Sequence, residues 1–216
     1  MHNGGVGAFP KIRRGMLNLM SQTAVERIKG TTDSEHLAML FFTFLAARVD
    51  MHGPGLREEP HPLADVKAAL EQAIAAAIRL QHEYLAAEAK AGRDTPPFEA
   101  SSLNVAVTDG AQLLAIRFRN HATEYPPSLY FSTTAGATLN RRFPDHPDSR
   151  EAGERHEAHL RSFDRMRSEE EHGTHVIVSS EPITYKEKEW ERVLKNECLM
   201  VDKHIRMTRA PVEVQF

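Results

Sequence analysis

The feature that most constrains this chain is a change of hydrophobic period near residue 100. Before that point apolar residues recur every three or four positions, and after it they alternate. Ala64 to Lys90 is alanine-rich and sets Val66, Leu70, Ile74, Ile78 and Leu85 on one face, which predicts a long helix. Upstream, Thr32 and Glu35 have the spacing of a capping box. They open a helix from about Asp33 to Val49, whose stripe is Leu37, Leu40, Phe41, Phe44 and Leu45. Lys11 to Met20, with Ile12, Met16, Leu19 and Met20 in helical spacing and Pro10 in the first turn, predicts a short surface helix. Met51 to Pro62 is rich in Gly and Pro and reads as a loop.

Beyond the change, Leu103 to Val107 and Leu113 to Phe118 flank Asp109-Gly110, a hairpin signal. Further strands are expected at Ser128 to Ser132, Thr174 to Ser179, Cys198 to Asp202 and His204 to Thr208. His146 to His172 is dense in Glu, Arg and His and reads as a charged surface excursion. Helices followed by a run of antiparallel strands predict an α+β domain with helices segregated against a sheet. A parallel doubly wound fold fits poorly, because strand and helix do not alternate and no Gly-x-Gly-x-x-Gly or Walker-type loop occurs.

At 216 residues one domain is expected, spanning the whole chain. A net charge of -3 argues against nucleic acid as a partner and leaves a small molecule or a protein. No apolar run approaches the roughly 20 residues a bilayer requires, and no leader of the secretory kind is visible. A cytoplasmic protein with no membrane partner is the expectation. The one cysteine, Cys198, allows no internal disulfide.

Two short motifs carry chemistry. His2-Asn3-Gly4-Gly5 offers hydrogen-bond donors, an Asn side-chain NH2 beside a Gly backbone N–H, of the kind that stabilise the oxyanion formed when an amide carbonyl is attacked. The same residues also make an ordinary turn. Gly30-Thr31-Thr32-Asp33-Ser34-Glu35-His36 sets a carboxylate, Asp33, at a helix start, where it could pair with an α-ammonium group or simply favour the helix dipole. His156-Glu157-Ala158-His159, with His146, His172 and His175, invites a metal reading. The histidines stand three apart rather than four, so no metal and no cofactor is expected. Cys198 lies in an alternating apolar run and reads as a small core residue.

Taken together, the two motifs resemble those of class II glutamine amidotransferases. Leu103 to Gly110, Arg117 to Ala122, Tyr130 to Thr134 and Val178 to Thr184 look like the fungal Dug-type subunit of glutathione degradation, and the likeness covers nearly the whole chain. The resemblance implies the N-terminal-nucleophile hydrolase fold, a four-layer αββα sandwich. It implies that Asn3 and Gly4 form the oxyanion hole, that Asp33 binds the substrate α-amino group, and that a peptidase-like protein is the partner. The family nucleophile is a cysteine exposed at the N-terminus, and none lies upstream of His2. The expectation is therefore a domain incomplete at its N-terminus, a truncated γ-glutamyl amidohydrolase acting on glutathione or glutamine. The alternative is a non-catalytic subunit that retains the fold and binds a glutamyl group or a partner.

Overall fold

A computed structural model describes residues 1–49, 60–94, 96–135, 175–184 and 186–214. The chain forms two compact units, Met1–Pro127 with Val193–Phe216, and Ser128–Arg192. The expected excursion at His146 to His172 lies outside the described residues.

In the first unit, the strand β1 (His2–Gly5) precedes four helices, α1 (Phe9–Leu19), α2 (Gln22–Arg27), α3 (Asp33–Arg48) and α4 (Leu63–Lys90). The hairpin β2 (Ser102–Thr108) and β3 (Leu113–Arg119) follows. After the second unit come β7 (Glu197–Val201) and β8 (Met207–Pro211). The five strands form one antiparallel sheet in the order β1-β2-β3-β7-β8. Helices on a largely antiparallel sheet are the α+β arrangement expected from the period change.

The helices cohere through one apolar cluster. In α4, Leu70, Ile74 and Ile78 are buried together with Ala69, Ala73, Ala76 and Ala77, and these alanines let neighbouring elements approach its axis closely. Burying each large aliphatic side chain contributes about 1.5–3 kcal/mol. The sheet contributes Leu103, Val105, Leu114, Ile116, Phe118 and Cys198 to the same cluster. Helix α1 is more than a surface helix, since Met16 is fully buried and a Cβ on Gly15 would stand 2.7 Å from Leu80 Cδ2 of α4.

The hairpin expected around Asp109-Gly110 forms, with a four-residue loop in which Asp109 Oδ1 accepts the N–H groups of Ala111 (3.0 Å) and Gln112 (2.9 Å). Strand β8 starts three residues later than expected. Asp202 Oδ1 accepts the N–H of His204 (2.8 Å) and of Arg206 (2.9 Å), and Ile205 takes φ +61°, so the expected strand start is a turn.

The second unit holds a three-stranded antiparallel sheet in the order β5-β4-β6, formed by β4 (Tyr130–Ser132), β5 (Ile177–Ser179) and β6 (Glu191–Arg192). Phe131 and Trp190 are buried, and Trp190 Nε1–H donates to Thr184 Oγ1 at 2.9 Å.

Candidate functional site

The opening residues form an edge strand, which removes the turn alternative. Strand β1 pairs with β2 in the register His2 with Val105, Asn3 with Asn104, Gly4 with Leu103 and Gly5 with Ser102. Met1 and Ala106 exchange both backbone hydrogen bonds, at 2.8 and 2.9 Å. Alternation along an antiparallel ladder then makes Asn3 and Asn104 the next exchanging pair, so the Gly4 N–H points away from β2. Asn3 and Gly4 are both exposed. Gly4 has φ +132°, and a Cβ there would lie 1.8 Å from the Ser102 carbonyl oxygen, so only glycine fits.

Helix α3 begins beside this strand. Thr32 Oγ1 accepts the Glu35 N–H at 3.3 Å, one half of the expected capping box. The other half is replaced, because the Glu35 carboxylate accepts the N–H groups of Lys29 and Gly30, both at 2.7 Å, rather than reaching Thr32. The Lys29 N–H, reinforced by that of Gly30 and opposed by partial desolvation, holds the Glu35 carboxyl below its usual range.

Asp33 joins the two motifs. Its Oδ2 accepts the Val6 N–H at 2.8 Å and its Oδ1 the Ser34 N–H at 2.8 Å. An ionised carboxylate offers about four acceptor sites, so capacity remains for an ammonium group. The residues expected to hold the oxyanion and the ammonium therefore stand at one junction, where the end of β1 meets the start of α3.

Three neighbours were not singled out by sequence reasoning. His2 Nδ1 and Ser34 Oγ are hydrogen-bonded at 2.7 Å. Burial pushes the His2 imidazole below its ordinary pKa, the Asp33 charge opposes that shift, and the ring is neutral near pH 7. His2 Nε2 is buried with no partner among the described residues. His36 is fully buried: its Nδ1–H donates to the Thr32 carbonyl at 2.8 Å, and its Nε2 accepts from Arg13 Nε at 3.0 Å. Phe9 meets the His36 ring edge-on at 5.1 Å. Each of the two motifs carries a histidine, which was the available signal, but residue type alone does not separate a core histidine from a site one. A groove of about 820 Å³ opens beside the junction, lined by His2, Ser34, Glu35, Phe41, Val105 and Val107 among others.

Cys198 is no nucleophile. It is fully buried between β3 and β8, and burial pushes its thiol up to about 12. Among the described residues no group of three or more His, Cys, Asp or Glu side chains could hold a metal ion. His146, His156, His159 and His172 lie outside them, and His175 Nε2–H donates to the Ala135 carbonyl at 2.8 Å.

No protein-family model matches the chain. The sequence is 29% identical over 203 residues to "Probable glutamine amidotransferase DUG3" of Saccharomyces cerevisiae, covering 94% of this chain and 49% of that protein. A solved glutamine aminotransferase class-II domain protein from Silicibacter pomeroyi superposes with a TM-score of 0.57 at 21% identity, over 98% of this chain and 65% of that one. Both likenesses are to proteins described as glutamine amidotransferases or as carrying a class II domain of that kind. The chain spans about half the length of the curated relative it matches. The structural likeness bears on fold, and the sequence likeness covers nearly all of this chain.

Proposed function

We propose that this chain carries the glutamyl-recognition part of a γ-glutamyl amidohydrolase of the glutamine amidotransferase type, taking glutathione or glutamine. The observation that carries the reading is the junction itself, where an exposed edge strand with an outward Gly4 N–H is tied to the Asp33 carboxylate through Val6. Asn3 Nδ2–H and Gly4 N–H stabilise the oxyanion, and Asp33 pairs with the substrate α-ammonium. The five-stranded sheet and its helices are two layers of an αββα sandwich of the N-terminal-nucleophile type.

The reaction needs a thiolate, and buried Cys198 cannot supply it. In this reading a cysteine outside these 216 residues attacks the γ-carbonyl, forming a thioester as the C–N bond breaks and the leaving amine takes a proton. Water then attacks the thioester, releasing glutamate and restoring the thiol. The setting proposed is cytoplasmic glutathione degradation in complex with a peptidase-like subunit. No described helix is long and apolar enough to cross a membrane.

The unreactive Cys198 favours a second reading, a non-catalytic subunit that binds a glutamyl group or a partner. The protein with its natural N-terminus, established by sequencing the transcript's 5′ end, separates the two. Release of glutamate from glutathione or glutamine, reduced about ten- to hundredfold by Asp33→Asn, is the expected result. Tight glutamyl binding with no turnover supports the second reading, and neither binding nor turnover overturns both.

A further inference from the structure

We propose that the His2–Ser34 hydrogen bond is a clamp that sets the substrate length this site accepts, making both side chains positioning residues for glutamyl over aspartyl groups. The inference rests on the glutamyl reading above and adds to it the origin of chain-length selectivity.

A glutamyl substrate differs from its aspartyl counterpart by one methylene, so discrimination requires a fixed distance between the group that holds the ammonium and the donors that hold the carbonyl oxygen. Those two parts belong to different elements here. Asn3 and Gly4 are on β1, and Asp33 is on α3. Two hydrogen bonds tie one element to the other at this point. Val6 N–H donates to Asp33 Oδ2 at 2.8 Å, and His2 Nδ1 meets Ser34 Oγ at 2.7 Å. The first tie lies two residues after Gly4 and the second one residue before Asn3, so they bracket the donors. On α3 the tied residues are adjacent, Asp33 and Ser34.

The Val6 tie holds the end of β1 against α3, and the His2 tie holds its start. Two ties on either side of the donors fix both position and tilt. The Ser34 hydroxyl also stands 3.5 Å from Asp33 Oδ1, so the His2 bond orients the group beside the ammonium receptor. A methylene normally changes selectivity by about 10- to 200-fold, and only in a site that holds its geometry.

Calorimetric binding of L-glutamine and L-asparagine to the protein with its natural N-terminus tests this. The wild type should prefer L-glutamine by at least about tenfold. Ser34→Ala should lose most of that preference, with L-glutamine affinity falling about tenfold and L-asparagine affinity changing little. Ser34→Thr, which keeps the hydroxyl, should restore the preference, and His2→Phe should behave as Ser34→Ala does. Unchanged circular dichroism in Ser34→Ala separates the effect from misfolding, and the Ser34→Thr rescue gives a readout that a purely structural loss would not. A wild type that prefers L-glutamine while Ser34→Ala keeps the same preference overturns the clamp alone. A wild type that binds neither amino acid overturns the glutamyl reading and the clamp with it.

Discussion

Gly4 shows how little freedom the junction has. Its φ of +132° is strained for any side chain, and a Cβ would collide with the Ser102 carbonyl at 1.8 Å. Gly4→Ala should therefore destabilise the fold by at least about 2 kcal/mol, read by urea denaturation, apart from any effect on function. His2 gives a second residue-scale prediction. Because burial lowers its pKa in the folded chain from an ordinary 6.5, the unfolded chain takes up this proton at higher pH than the folded one does. Stability should be constant on this account above about pH 6.5 and fall as pH drops through the folded value. His2→Asn should flatten that limb in thermal melts between pH 8 and 5, while the separate loss from protonating Glu35 appears only in stronger acid, below its ordinary 4.5.

At the scale of elements, helices α3 and α4 were legible because their apolar positions repeat with the helical period over several turns. Ile78 is fully buried on the predicted face of α4, and Ile78→Ala should cost about 2–5 kcal/mol in chemical denaturation with little change in helix content. Helix α2 was not legible, since six residues are too short to show a period and its start depends on Ser21 Oγ accepting the Ala24 N–H. The two-residue β6 escaped for the same reason. The late start of β8 was missed because the Asp202 side chain takes up backbone N–H groups that a strand would otherwise use.

For the molecule as a whole, the placement of the single thiol decides what the chain can do with its own atoms. Cys198 should stay unlabelled by a thiol reagent in the native state and react only on unfolding. Cys198→Ala should leave any γ-glutamyl hydrolysis unchanged, measured as glutamate release. By itself, the sequence determined the α+β order, the main helical faces, the β2–β3 pairing and the two motifs at Asn3-Gly4 and Asp33, because all of these are local in the chain and written in residue type and spacing. The tertiary structure alone decided that His2–Gly5 is a strand at the edge of the described sheet and that Asp33 reaches Val6. It also decided that His2 is tied to Ser34 while His36 is buried in the core. Those contacts join residues about thirty positions apart, and their energy depends on distances set only when β1 and α3 are held together by the rest of the fold.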